Sequence, residues 1–406
     1  MLFQHIIGQH TTKQQLCEMV QNNRLSHALL FLGKEGCGAL PMALAFAQYV
    51  SLNPHTKTVT KEATASLFGD APEEKTATIP STPAAADDFM EKHPAYSKAS
   101  KFVHPDIHFS YPVIPKKSGD KPKSTDYITE WREFITLHSY GNVYDWLQFI
   151  GAENKQGNIT AEECNDIIHK LNLKSFESEY KILVMWMPEY LGKEGNKLLK
   201  LIEEPPASTL FILVAENEEQ ILPTILSRCQ LVKIPLPETS EIQEALIQRA
   251  GATEDVALQT AAIAEGNYRE ALQLLQHSEE DWISLLSDWL KFVIRGMLPD
   301  QVKWIDDISK LGREKQKQLL LYFNHLLEQG IRLRVMGDGL PISAKEKDFA
   351  QRINKITSVS QQQVIIEELD KATWYIERNA NAKMLFHALT IKMYHIIQDK
   401  ALFLTD

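Results

Sequence analysis

Four short runs of uninterrupted apolar residues, 28–32, 182–187, 210–215 and 231–234, set the strongest limit on how this chain folds. A strand with one wet face alternates apolar and polar side chains. A run without alternation is a strand buried on both faces, which requires a parallel sheet covered by helices on each side. A weaker run lies at 107–113. Between the runs, 13–23, 41–51, 161–171 and 193–204 read as helices, the last stopped by Pro205-Pro206, which cannot continue one. Strand and helix alternate, so an α/β layer fold is predicted for the first half. None of the runs approaches the ~18 apolar residues that span a bilayer. Met1-Leu2-Phe3-Gln4-His5 lacks the basic and apolar segments of a secretory signal, so no membrane association and a cytoplasmic location are expected.

One stretch breaks the rhythm. From about Asn53 to Asp126 the chain is rich in Thr, Ala, Pro, Lys and Glu and has little periodicity, including Lys116-Lys117-Ser118-Gly119-Asp120-Lys121-Pro122-Lys123. It reads as an insertion that is at least partly mobile, its basic run a solvated loop rather than a DNA contact. After Pro235-Leu236-Pro237 the strands end, and 240–250, 254–266 and 269–277 read as short helices. From about Ser278 the pattern is helical to the end. Ile365, Leu369, Ala372 and Ile376 line one face, with Ser360 and Gln363 as a capping box; Leu385, Leu389, Met393 and Ile396 line another. The predicted organisation is therefore α/β plus all-α, in three domains: 1–236, 237–278 and 279–406.

The chain of 406 residues holds 43 Lys+Arg against 53 Asp+Glu, a net charge of −10. A protein that coats DNA with its whole surface would be basic, so any nucleic-acid contact is local or made through partners. The four cysteines, Cys17, Cys37, Cys164 and Cys229, are widely spaced singles. Neither a zinc knuckle nor a disulfide scaffold is expected, and no metal.

The turn after the first run reads Gly33-Lys34-Glu35-Gly36-Cys37-Gly38-Ala39-Leu40. A phosphate-binding P-loop needs G-x-x-x-x-G-K-[ST] between strand and helix. Gly33 and Gly38 have that spacing, but Ala39 replaces the lysine and Leu40 the Mg²⁺-binding hydroxyl. Trp186 and Met187 occupy the end of the strand where a Mg²⁺-binding acid would stand, and Glu189 lies beyond it as a surface or capping residue. Two parts of one nucleotide site are missing together. The loop is read as a structural relic, with no ATP turnover and no cofactor.

Leu198-Leu199-Lys200-Leu201-Ile202-Glu203-Glu204-Pro205-Pro206, the segment from Leu210 to Cys229 ending in Ser227-Arg228-Cys229, and the openings Ile7-Gly8-Gln9 and Leu25-Ser26-His27 resemble the AAA+ clamp-loader subunits of bacterial DNA polymerase III. Gly266-Asn267-Tyr268-Arg269-Glu270-Ala271-Leu272 resembles that family's sensor-2 motif, and Asn379-Ala380-Asn381-Ala382-Lys383 a pattern of its last helices. The resemblance covers most of the chain outside the insertion. It implies an AAA+ α/β domain, a small helical lid and a C-terminal helical collar that drives oligomerisation. Ser-Arg-Cys with a broken P-loop is similar to the non-catalytic delta-prime class. The sequence departs from many of that class in lacking the zinc-binding cysteines after the P-loop helix, and Ala215-Glu216 replaces the polar sensor-1 residue.

The resemblance implies that Arg228 is an arginine finger, positioned by Ser227 and aimed at ATP in a neighbouring gamma/tau-like subunit, with no essential partner in its own chain. A delta-like subunit would be a further partner, with the sliding clamp and primer–template DNA reached through the complex. Arg269 is read as structural or a remnant nucleotide sensor, and Gly33, Gly36 and Gly38 as the relic cradle. Glu203 and Glu204 suit a fold-stabilising helix end better than an acid/base pair, and His104-Pro105-Asp106 the start of a strand better than a metal or triad fragment. Two other functions fit the residues: an autonomous gamma/tau-like AAA+ ATPase with an unorthodox nucleotide site, and an interaction scaffold without a role in ATP turnover.

Overall fold

Consecutive side chains of one short strand enter two different cores, which is why its sequence shows no alternation. In β1 (Ala28–Leu32), Leu29 and Phe31 pack into one layer, Ala28 and Leu30 into the other. The structure, a computed structural model, describes residues 1–53, 79–117, 119–152, 155–276, 282–337, 344–377 and 380–399. They fall into two units: Met1–Gly251 with Glu265–Glu270, and Ala252–Ala264 with Ala271–Asp406.

The first unit is built on five strands: β1, β2 (Ile107–Ser110), β3 (Lys181–Trp186), β4 (Thr209–Ala215) and β5 (Gln230–Lys233). Their order is β2-β3-β4-β1-β5 and every pairing is parallel. β3 and β4 are buried along their whole length, as continuous apolar runs require. β5 departs from that expectation. It is an edge strand with Leu231 43% exposed and only Val232 buried, because it has a neighbour on one side only. Below one face lies the helix Ala39–Leu52, every residue of which is buried. The helix Ala161–Asn172 and the segment 188–203 cover the other face. The expected single helix at 193–204 is instead a 3₁₀ stretch, Pro188–Leu198, followed by the helix Leu199–Glu203; Gly192, at φ 50° and ψ −135°, breaks it.

Within 53–126, read as an insertion that is at least partly mobile, residues 79–117 and 119–126 are built into the unit; 54–78 lie outside the described residues. Thr82 caps the helix Pro83–Lys92, with Pro83 in its first turn. Asp87 on that helix accepts the backbone N–H groups of Phe3 and Gln4, both at 2.8 Å. Local composition gave no hint of a partner more than eighty residues away. The helices Ile128–Leu137 and Val143–Phe149 then supply an aromatic layer that local periodicity does not reveal. Trp131 stacks on Tyr111 at 4.0 Å between centroids and meets Trp146 edge-on at 5.3 Å. Trp186 joins them, 5.2 Å from Trp131 and 6.1 Å from Phe134.

The second unit is helical among its described residues. Trp282–Arg295, Leu298–Ser309, Arg313–Met336, Ala344–Ile356, Val359–Glu377 and Ala382–Gln398 share one core. Trp289 stacks on Trp304 at 4.6 Å, with Phe323 and Phe386 around them. The stripe Ile365, Leu369, Ala372 and Ile376 is fully buried; in the last helix Leu389, Met393 and Ile396 are buried and Leu385 is partly so. The capping box lies two residues earlier than expected. Ser358 Oγ accepts from Gln361 N–H at 3.2 Å and Ser358 N–H donates to Gln361 Oε1 at 2.8 Å. Asn381 caps the final helix, accepting from Met384 N–H at 3.1 Å, while Asn379 lies outside the described residues. No helix among the described residues is long and apolar enough to cross a membrane.

Trp186 is 2% exposed at the end of β3. Replacing it with Asp removes a large ring from a packed aromatic layer and buries a charge. Trp186→Asp should therefore destabilise by about 4 kcal/mol or more, and Trp186→Phe by clearly less. Urea unfolding followed by tryptophan fluorescence measures both; equal midpoints for Asp and wild type would show that this end of β3 is not part of the core.

Candidate functional site

β1 ends between β4 and β5, where the chain changes direction across the sheet, and crevices at the carboxyl ends of strands at such points hold ligands in open α/β sheets. The loop 33–38 leaves β1 there. Gly33 N–H donates to Ala215 O at 3.1 Å, Gly36 and Gly38 take φ of 72° and 92°, and the helix Ala39–Leu52 begins directly after. The turn has the strand–loop–helix form that cradles phosphate, but its contents differ. Ala39 and Leu40 are buried, and the remaining cavity, bounded by the loop with Tyr140, Trp186, Met187 and Glu216, holds about 30 Å³. That is the share of one water molecule, against roughly 300–1,000 Å³ for a cofactor site. The Tyr140 ring lies against Gly38, where an added Cβ would be 3.1 Å from it. Its hydroxyl accepts from Ile7 N–H at 2.9 Å, and burial holds its pKa well above the usual tyrosine range.

Arg269 is turned onto carboxylates. Its Nε and Nη2 donate to the two oxygens of Asp145 at 2.5 and 2.6 Å, and its Nη1 donates to Glu35 Oε1 at 3.0 Å. Asn267 Nδ2 also donates to Glu35 Oε1, at 3.2 Å, and Asn142 Nδ2 to Glu35 Oε2 at 2.8 Å. Glu35 belongs to the loop itself, so the loop's own carboxylate receives the arginine that resembles a nucleotide sensor. Residues 265–270 are thereby fastened to the loop. Tyr268 N–H donates to Gly36 O at 3.3 Å, and an added Cβ at Gly36 would overlap Asn267 Oδ1 at 1.9 Å. Sequence reasoning missed both carboxylates. Asp145 was findable: Asn142 and Asp145 cap each other across the start of the helix Val143–Phe149, at 3.0 and 3.1 Å.

Glu189 is mostly buried and binds backbone rather than standing free on the surface. Its Oε1 accepts from Glu216 and Asn217 N–H at 2.7 and 2.9 Å, tying the ends of β3 and β4, and burial raises its pKa. His104-Pro105-Asp106 begins β2: the Asp106 carboxylate accepts from Phe176, Glu177 and Ser178 N–H at 2.6, 2.8 and 2.7 Å. All four cysteines are free, and burial pushes the thiols of Cys17 and Cys37 up to about 12 and those of Cys164 and Cys229 up to about 11. They stay protonated and unreactive near neutral pH. Among the described residues no three His, Cys, Asp or Glu gather as a metal site would require.

Arg228 lies at the other end of the sheet. It precedes β5, whose first residue pairs with Leu29 near the start of β1, whereas the loop follows Leu32 at its end. A strand of this length separates the two by about 15 Å. Arg228, expected to have no essential partner in its own chain, does have contacts there. Its Nη2 pairs with the Glu203 carboxylate, and its Nη1 donates to Thr224 O at 2.6 Å and to Ser227 Oγ at 3.3 Å. Glu203 is the last residue of Leu199–Glu203, stopped by the two prolines, so the acidic box and Ser227-Arg228-Cys229 meet in space.

Comparison with known proteins shows what the chain is similar to. The family model described as "DNA polymerase III, delta subunit" matches residues 96–238. DNA polymerase III subunit gamma of Buchnera aphidicola (from Acyrthosiphon pisum) is 28% identical over 192 residues, 45% of this chain and 51% of its own length. DNA polymerase III subunit delta' of Escherichia coli is 27% identical over 130 residues, 31% of this chain and 38% of its own. The solved structure of a gamma subunit-related protein from Thermotoga maritima aligns over 96% of this chain and 99% of that one, at 15% identity and a TM-score of 0.36. Over part of its length the chain is thus similar to gamma and delta' subunits of DNA polymerase III. It spans about half the length of the first of these curated relatives and less of the other.

Arg269 is buried with only 4% of its side chain exposed, while Glu35 and Asp145 retain about one fifth. Arg269→Ala should cost about 3 kcal/mol in urea denaturation, the low end for breaking a buried pair because the carboxylates reach water. Arg269→Lys should recover only part, since ammonium cannot grip Asp145 at both oxygens. A loss below about 1 kcal/mol would mean that the cluster does not hold the loop.

Proposed function

We propose that the chain is a non-catalytic, delta-prime-like subunit of the DNA polymerase III clamp loader. It assembles with gamma/tau-like ATPase subunits and a delta-like subunit, and through the complex it serves loading of the sliding clamp onto primer–template DNA. Residues 237–278 act as the helical lid and 279–406 as the collar. Arg228 acts in trans on ATP bound by a neighbour, and Ser227 positions it.

The observation that carries this reading is the separation of the two sites. The loop that would bind nucleotide is filled by the chain's own side chains, with about 30 Å³ left, while Arg228 sits at the opposite ends of the strands. An arginine there cannot serve a phosphate at its own loop, but it is available to another subunit's. Arginine is chemically suited to this role, since a permanently charged planar guanidinium stabilises charge on a transferring phosphoryl group and lysine lacks its fork.

The isolated chain should neither bind nor hydrolyse ATP; Mg²⁺-dependent turnover abolished by a Gly38 substitution would favour the autonomous ATPase instead. In a reconstituted complex Arg228→Ala should leave assembly intact and lower DNA- and clamp-stimulated turnover. A finger contributes ~10³–10⁵ at its own site, so with several ATP sites the complex is impaired and not silenced. Wild-type turnover would remove the finger reading and leave an interaction scaffold. Truncation after residue 278 should abolish stable assembly in size-exclusion chromatography; a truncated chain that still joins at full affinity would rule out the collar assignment.

A further inference from the structure

We infer that Glu203 is an internal stand-in for phosphate, which holds Arg228 in the free subunit and competes with the neighbour's nucleotide for it. The inference rests on the reading of Arg228 as a trans finger. Its basis is which nitrogens of the guanidinium remain available. Nε is buried and has no partner among the described residues, Nη1 is held by Thr224 O and Ser227 Oγ, and Nη2 is held by Glu203. The accessible edge of the fork is therefore the Nη1–Nη2 edge. A phosphate arriving at that edge meets the Glu203 carboxylate, which holds one of the two Nη2 N–H groups and repels an incoming anion.

The hold is built to be reversible. The Glu203 side chain is 49% exposed and that of Arg228 30%, so water screens the pair and a carboxylate leaving it is readily hydrated. Exposed pairs of this kind shift an equilibrium by a factor of about two to five. A phosphate group carries more charge and more acceptor oxygens, enough to take the arginine away once the subunits dock. The helix Leu199–Glu203 cannot extend through Pro205-Pro206 to carry the carboxylate elsewhere, so Glu203 stays beside Arg228 while its charge opposes transfer to phosphate. The pair thus keeps the finger aimed and neutralised before assembly.

Two measurements separate this inference from the finger reading. In the isolated full chain, phenylglyoxal modification of Arg228, followed by mass spectrometry, should proceed two- to five-fold faster in Glu203→Gln than in wild type. The difference should shrink at high salt, which screens the wild-type pair. In the reconstituted complex, Glu203→Gln should raise stimulated ATP turnover up to about five-fold, and should change nothing when combined with Arg228→Ala. Equal modification rates would overturn the hold, and slower turnover in Glu203→Gln would overturn the competition, making Glu203 an aid to the finger. If Arg228→Ala alone leaves turnover unchanged, the finger reading fails, and the modification rates still decide whether Glu203 holds the arginine.

Discussion

The pairing of β1 with β4 on one side and β5 on the other fixes the geometry on which the rest of the first unit depends. A strand with four of its five residues buried across both faces can hold its place only if helices cover both layers, and the side chains of Leu29 and Phe31 require the helix Ala39–Leu52 beneath them. The loop 33–38 has no freedom to be elsewhere, because the strand before it and the helix after it are both locked in the core. The same register places the segment before β5 at the other rim of the sheet. One set of parallel hydrogen bonds thus positions both the glycine loop and Arg228, and keeps them apart.

At the loop end, a buried charge takes over from packing. Arg269 cannot stay charged inside protein without counter-charge, and it finds Asp145 and Glu35 from two distant parts of the chain. Where an open nucleotide site would direct such an arginine at phosphate, here a carboxylate of the loop supplies the anion. The aromatic layer works in the same direction. Trp186, at the end of β3, extends the stack of Trp131, Phe134 and Tyr111 into the space where a metal-binding acid would need water. Apolar packing narrows the crevice, and charge pairing holds the loop beside it.

At the other rim the balance is different. Arg269 is sealed among partners, whereas Arg228 makes its ion pair in partial contact with water and leaves Nε without a partner among the described residues. A sealed arginine contributes to the fold, because exposing its carboxylates is costly. An arginine held at the surface by one half-exposed carboxylate can change partners at little cost. The two arginines share a side chain and differ in burial: one is sealed among partners, the other stays partly in contact with water.

The strands are legible from the residues alone, since apolar runs rich in branched and aromatic side chains have few alternatives. So are the positions of the glycine loop and of Ser227-Arg228-Cys229. Most helices with a strong stripe, such as 161–172 and 359–377, were legible for the same local reason. The helices between 79 and 149 were not: they are held by contacts such as Asp87 with Phe3 and Gln4, or Trp131 with Trp186, that join distant segments. The roles of the charged residues emerge only once the chain is folded. Glu35, Asp145 and Arg269 come from three parts of the chain, and Glu203 and Arg228 from two, so no spacing within any one segment could pair them. Apolar burial leaves a periodic trace in sequence because it follows the period of the element, whereas an ion pair depends on where two separate elements end up in space.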